Sequence, residues 1–132
     1  MPNRVPWDAA YSTGNDTLDS QHRAILAQCN DLAGCMADAD PESDPKFQAA
    51  YAALMAQADA HFATEAALLQ HCAGPMQDAH QNERDEFAYL ANDIITTENF
   101  EKIELQRFLA LWWVGHIVGF GKQYRALLTA QK

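Results

Sequence analysis

The chain has 132 residues and a formal net charge of −9, from 9 basic and 18 acidic residues. This length suffices for one hydrophobic core and is short for a second, so we predict a single domain over residues 1–132. The acidic balance argues against a nucleic-acid partner, which needs a cationic face, and against an anionic membrane surface.

No targeting or membrane-spanning segment is apparent in the sequence. The first ten residues lack the apolar core of a signal peptide, and the longest apolar stretch, 109–120, is too short to cross a bilayer. Three cysteines, Cys29, Cys35 and Cys72, form an odd set without a CxxC pair, which is typical of a reducing compartment. We therefore expect a cytoplasmic protein without a disulfide framework.

Clusters of Pro, Gly and polar residues divide the chain into four segments with helical periodicity. After an N-terminal arm over 1–17, the apolar spacing predicts helices over about 18–38, 45–72, 75–96 and 99–129. Thr97 or Asn99 could cap the last helix. Four amphipathic helices with short connections indicate an all-α fold, an antiparallel up-down-up-down four-helix bundle.

Each predicted helix carries polar residues on the face that should line the core. Residues equally far from a turn of an antiparallel hairpin lie at one height, so the register places these side chains within about one helical turn of each other. Burying such a layer unpaired is costly, and imidazole and carboxylate suit Fe, Zn, Mn or Cu. The pattern therefore predicts a metal site from His22, His61, Glu65, His80 and His116, with Arg84 in the same layer.

The motifs around these residues resemble those of the bacterial hemerythrins over residues 5–124. WDAAYSTGNDTLDSQH leads to the first histidine, HFATE at 61–65 matches an HxxxE motif, and WVGHI at 113–117 carries the last histidine. His80 stands where an HxxxH motif begins. The resemblance implies two non-haem irons in the bundle, held by five histidines and two bridging carboxylates, with O2 bound reversibly at one iron.

The resemblance also implies a role for each ligand. His22 and His61 would serve the oxygen-binding iron, and His80 and His116 would serve the other. Glu65 would bridge the two.

Two positions depart from the family pattern. The second histidine of HxxxH is Arg84, and the bridging aspartate is Gly121. A guanidinium has no lone pair to donate and keeps its charge. Because Gly121 leaves room, we expect Arg84 to take the place of the lost iron and to pair with Glu65. In two alternatives, Arg84 extends outward along its stem, or Glu83 faces inward instead.

The remaining ligands favour a reduced iron site. His22, His61 and Glu65 form a two-His-one-carboxylate set, which is typical of non-haem Fe(II) with open positions. There are two alternatives: a weak second metal held by His80, His116 and a shared Glu65, or one ion among all four histidines. We predict binding or sensing of O2 or another small ligand, rather than ordinary diiron O2 carriage.

Two competing functions remain at this point. One is a metal-free module, in which an Arg84–Glu65 pair replaces the iron. The other is an iron oxidase or peroxidase, for which the sequence identifies no substrate, so we predict that the protein is not an enzyme. We also expect a monomer or weak oligomer.

Some further residues carry expectations of their own. Asp19, one turn before His22, would accept the ring N–H of that histidine or simply be solvated. His71 should lie on the surface. Three glycines, Gly115, Gly119 and Gly121, predict a kink or mobility in the last helix, with close packing as the alternative.

Overall fold

The structure is a computed structural model that describes residues 2–35, 43–72 and 74–130, with the backbone alone at 43, 44, 121, 122 and 124–130. A short 3₁₀ turn at Ala9–Tyr11 precedes four helices: α1 (Asp16–Ala33), α2 (Ser43–Leu68), α3 (Gly74–Ile95) and α4 (Lys102–Ala130). The described ranges contain no strand, so the all-α prediction is confirmed.

Side-chain pairs show that neighbouring helices run in opposite directions. From α1 to α2, Gln21 bonds Thr64 and Gln28 bonds Gln57, so the numbers rise on one helix as they fall on the other. The same reversal joins α2 to α3 (Phe62–Phe87, Glu65–His80) and α3 to α4 (His80–Phe120, Phe87–Trp112). The helices therefore form an antiparallel bundle, and α1 packs against both α2 and α4.

The first two helices end earlier than the apolar spacing predicts. Helix α1 begins at Asp16, because the Asn15 side chain accepts the Leu18 N–H as an N-cap, and it ends at Ala33 before Gly34. The predicted continuation to 38 reaches residues 36–42, which lie outside the described ranges. Helix α2 ends at Leu68 rather than 72, since the chain turns there and the Cys72 N–H bonds the Leu69 carbonyl.

The last helix begins at Lys102 rather than 99. Asn99 takes a left-handed backbone conformation with φ of 60°, which cannot belong to a right-handed helix. The Thr97 hydroxyl donates back to the Asp93 carbonyl at 2.7 Å, so it closes the end of α3. The prediction that Thr97 or Asn99 caps α4 is therefore wrong.

The N-terminal arm is held by specific polar contacts. The Asn3 N–H donates to Gln106 Oε1 at 2.6 Å, and the Val5 N–H donates to Asn30 Oδ1 at 2.8 Å. These bonds lay the arm over α1 and α4, above a core built from large apolar side chains: Phe47, Leu54, Phe62, Phe87, Leu109 and Trp113.

Helix α4 runs unbroken through all three of its glycines. Gly115 and Gly119 are exposed, and an added Cβ at either would meet nothing within 4 Å. Close packing therefore does not explain these two glycines. No helix in the described ranges is both long and apolar enough to cross a membrane.

Candidate metal centre

Glu65 lies at the centre of the polar layer, with its side chain fully buried on α2. Its Oε2 lies 2.7 Å from Nε2 of His61, 3.0 Å from Nε2 of His116 and 3.7 Å from Nε2 of His22. Its Oε1 lies 3.0 Å from Nε2 of His80. All four helices thus send a histidine to one carboxylate, and the five side chains predicted from the sequence lie together.

Four of these groups are close enough to share one ion. Ligand atoms of His22, His61, Glu65 and His116 all lie within 4.8 Å of one another, and all four residues are buried. His80 reaches only the other oxygen of Glu65 and is 5% exposed. The geometry therefore groups three histidines and the carboxylate more tightly than the fourth histidine.

Two histidines are held from outside the cluster. The Nδ1–H of His61 donates to Gln21 Oε1 at 2.8 Å, and Gln21 in turn donates to the Thr64 hydroxyl. The Nδ1 of His116 lies 2.6 Å from Glu83 Oε1, where the ring N–H donates to the carboxylate. Each contact leaves Nε2 of the ring directed at Glu65.

Neither Gln21 nor Glu83 is among the sequence-predicted ligands. The sequence predicts Glu83 in the layer only as an alternative to Arg84. Its position three residues after His80, on the same helix face, was the available signal. Gln21 directly precedes His22, and helical periodicity does not predict its contact with His61 of the next helix.

Asp19 does not have the predicted role. Its carboxylate accepts from the Ser12 hydroxyl at 2.6 Å, the Thr13 N–H at 2.8 Å and the Thr13 hydroxyl at 2.9 Å. The Nδ1 of His22 is buried and has no hydrogen-bond partner among the described residues. Asp19 therefore ties the arm to α1 instead of orienting His22, because its carboxylate oxygens accept hydrogen bonds from the arm.

The expected Arg84–Glu65 pair is not formed. Within the described part of the chain, no hydrogen bond or ion pair joins Arg84 to Glu65, whose oxygens face the four histidines instead. Arg84 is half-buried, and Glu83 supplies the contact from α3 to His116. One position along a helix turns a side chain by about 100°, so only one of these neighbours can face that ring. Gly121 lies within α4, where the description is limited to the backbone.

Burial and neighbouring charges shift the protonation of the cluster in opposite directions. Burial alone would raise the pKa of Glu65, but its close contacts with His116, His22, His61 and His80 hold that pKa far below its usual range. Burial lowers the pKa of His61 to about 4, despite the nearby Glu65. For His116, the contacts with Glu65 and Glu83 outweigh burial and raise the pKa to about 9.

The contact between His61 and Glu65 is one that a bound cation would stabilise. Neutral His61 uses its one ring N–H on Gln21, so its Nε2 presents a lone pair to a carboxylate oxygen 2.7 Å away. Nε2 of His22 lies a further 2.9 Å from Nε2 of His61. A cation between these atoms would accept their lone pairs and so remove the repulsion between His61 Nε2 and Glu65 Oε2. The residues present therefore fit a bound metal.

Aromatic side chains surround the cluster. The ring of Trp112 stacks on that of His116 with centroids 5.2 Å apart, and the rings of Trp113 and Phe62 lie 5.7 Å and 6.1 Å from that of His61. This wall limits access of water to the buried ligands.

A four-helix bundle with histidines and a carboxylate converging in its core defines a class of metal-binding bundle proteins. Residues 13–119 match the family model described as the hemerythrin HHE cation-binding domain, and the chain belongs to that family. The chain is 27% identical to "Hemerythrin-like protein" of Naegleria gruberi over 128 residues, covering 97% of each chain. The same values hold for "Hemerythrin-like protein" of Naegleria fowleri. No solved structure matches significantly.

Proposed function

We propose that this chain is a non-haem iron protein that binds O2 or another small ligand, for sensing or storage rather than ordinary diiron O2 carriage. The observation that carries the proposal is the 2.7 Å approach of the His61 Nε2 lone pair to Glu65 Oε2, with Nε2 of His22 2.9 Å from that nitrogen. Because neutral His61 donates its one ring N–H to Gln21, its Nε2 lone pair faces the carboxylate oxygen with no proton between them, and a cation would relieve that repulsion.

The donor set supports a single ion. His22, His61, His116 and Glu65 would hold it, and imidazole with carboxylate suits iron as well as zinc, manganese or copper. A bound Fe(II) would supply open coordination positions at which a small ligand binds. A second ion would have only His80 and shared ligands, since Arg84 and Gly121 provide none.

The space beside the cluster supports binding of a small ligand rather than turnover of an organic substrate. A cavity of about 120 Å³ lies between α2 and α3 and is lined by Ala66, Leu69, Gln77, His80 and Gln81. Sites for drug-sized ligands are typically about 300–1,000 Å³. We therefore propose that the protein is not an enzyme.

Elemental analysis tests this function directly. The protein is expressed in iron-supplemented medium, and absorption spectra are recorded without and with O2. We expect about one iron per chain and a spectrum that changes on oxygenation. A folded helical protein without metal would contradict the proposal, and about two irons per chain would contradict the single-ion site.

A metal-free module is the second candidate. It is favoured by the hydrogen bonds that histidines already direct at Glu65, which compensate part of the cost of burying the carboxylate. In this version the partners of Glu65 are His80 and His116 rather than Arg84. The same elemental analysis separates the two candidates.

The remaining expectations stay predictions. The net charge of −9 supports the absence of nucleic-acid and anionic membrane partners. A cytoplasmic location and a monomeric or weakly oligomeric state are proposed on the sequence argument alone. A bacterial source is likewise an expectation, and the two relatives above come from Naegleria.

A further inference from the structure

The histidines of the cluster differ in the hydrogen-bond partner of Nδ1, the outer ring nitrogen that faces away from Glu65. Nδ1 of His61 is bound by Gln21 and Nδ1 of His116 by Glu83, whereas Nδ1 of His22 is buried without a partner in the described ranges. An imidazole can flip about its χ2 angle or exchange its tautomer unless its outer nitrogen is bound. Two of the rings are therefore held in a ligating orientation before any ion arrives.

The hydrogen bond from His116 to Glu83 should be stronger than the one from His61 to Gln21. It joins a carboxylate to a ring N–H at 2.6 Å, whereas the Gln21 contact joins a neutral amide oxygen at 2.8 Å. Charge-assisted hydrogen bonds are shorter and roughly twice as strong as neutral ones. The side chain of Glu83 is 42% exposed while that of His116 is fully buried, so the bond links the cluster to the bundle surface.

Helix α3 thus contributes two side chains to the layer from positions three residues apart. His80 meets Oε1 of Glu65, and Glu83 meets the outer nitrogen of His116 on α4. Positions i and i+3 share a helix face, which explains how one helix reaches both partners. Arg84 makes neither contact within the described residues, although the family motif has its ligand at that position.

We infer that Glu83 is a positioning residue for the metal centre. By accepting the Nδ1–H of His116 it directs Nε2 of that ring at Glu65, and so selects His116 as the third histidine of a single site with His22 and His61. This inference rests on the proposed function for the metal itself. The hydrogen bond and the ring orientation can be tested on the metal-free protein.

The first measurement is nitrogen-15 NMR of the histidine side chains in the metal-free protein. In the parent protein, His116 should show an exchange-protected Nδ1–H. Glu83→Gln keeps an acceptor oxygen and should retain that signal, whereas Glu83→Ala should lose it. Glu86→Ala removes an exposed carboxylate from the same helix and serves as the matched control. Retention of the protected signal in Glu83→Ala would overturn the inference.

The second measurement is the affinity for Zn(II), used as a spectroscopically silent probe in competition with a chelating dye. Loss of a partner that orients a ligand typically weakens metal binding about 10–100-fold. We expect such a loss in Glu83→Ala, substantial recovery in Glu83→Gln, and no change in Glu86→Ala. Equal affinity of Glu83→Ala and the parent protein would overturn the positioning role while leaving the proposed function intact.

Failure of the proposed function gives a different result. If the parent protein itself binds neither iron nor Zn(II), the role of Glu83 toward a metal falls with it. The protected His116 signal would then still decide whether Glu83 orients the ring. Circular dichroism of each variant shows whether the bundle has folded.

Discussion

At the scale of single residues, burial decides which side chains can react. The Cys29 thiol is fully buried in the core between the helices, and burial raises its pKa to about 12. Cys35 and Cys72 lie near the ends of α1 and α2 and are only half-buried. Since the thiolate is the reactive form, the three cysteines should behave differently although none of them forms a disulfide.

We predict that two of the three thiols react with a disulfide reagent at pH 8 in the native protein. Cys29 should react only after unfolding. Because its pKa is higher in the folded chain, alkaline pH above about 9 favours the unfolded state, and stability should fall as pH rises toward 12. Cys29→Ala should show a smaller loss over this range, measured by denaturant unfolding. Rapid labelling of Cys29 in the native state would contradict its burial.

At the scale of elements, one carboxylate holds the end of the arm that precedes α1. Asp19 collects three hydrogen bonds from Ser12 and Thr13, and these bonds lower its pKa although burial would raise it. A carboxylate whose pKa is lowered by folding stabilises the protein above its unfolded pKa. That contribution is lost as pH falls.

Asp19→Asn tests these hydrogen bonds between the arm and α1. Leaving buried donors poorly paired costs about 1–3 kcal/mol, so we expect a matching loss in the free energy of unfolding at pH 7 and a smaller difference in acid. Metal content should be unchanged, because Asp19 does not bond His22. Asp16→Asn, at an exposed acid of the same helix turn, is the control. Loss of metal in Asp19→Asn alone would restore the role predicted from the sequence.

The exposed glycines of α4 offer a second test at this scale. An added methyl group at Gly115 or Gly119 meets nothing within 4 Å, and glycine in a helix interior costs up to about 1 kcal/mol relative to alanine. Gly115→Ala and Gly119→Ala should each stabilise the protein by about 0.5–1 kcal/mol in thermal unfolding. Destabilisation would indicate that α4 needs flexibility at these positions.

The ligands that the family resemblance implies at positions 84 and 121 can be introduced into α3 and α4. Arg84→His with Gly121→Asp restores the HxxxH motif and the second carboxylate. We expect metal content to rise from about one ion toward two, measured by elemental analysis with the single variants as controls. No gain in metal would contradict the proposal that these two positions limit the site to one ion.

At the scale of the whole molecule, the centre exists only when the bundle is folded. Its candidate ligands come from α1, α2 and α4, which the unfolded chain does not bring together. An ion that binds only the folded state stabilises it by about 2.7 kcal/mol at a concentration 100 times its dissociation constant.

Thermal unfolding should therefore depend on the concentration of added metal. With Zn(II) or anaerobic Fe(II), the Tm of the parent protein should rise and a chelator should reverse the rise. His61→Ala removes a buried ligand of α2 and should abolish most of the shift. His71→Ala removes an exposed histidine just beyond the same helix and should leave the shift intact. Equal shifts in both variants would point to metal binding elsewhere.

The bundle and its polar layer follow from local rules. Apolar spacing defines four helices, and similar distances from the turns place His22, His61, Glu65, His80 and His116 within about one helical turn of each other. The helix ends are harder to predict from the sequence. Asn99 has a positive φ and the Thr97 hydroxyl bonds the Asp93 carbonyl at the end of α3, so α4 begins later than the apolar spacing predicts.

Helical period and antiparallel register are enough to predict that His22, His61, Glu65, His80 and His116 lie together. Which neighbour each side chain contacts depends on how the helices and the arm pack. Positions 83 and 84 both lie within one turn of His80, and the packing of α3 against α4 directs Glu83 rather than Arg84 to His116. Likewise, Asp19 faces the arm instead of His22, since the competing donors of Ser12 and Thr13 lie within hydrogen-bond distance.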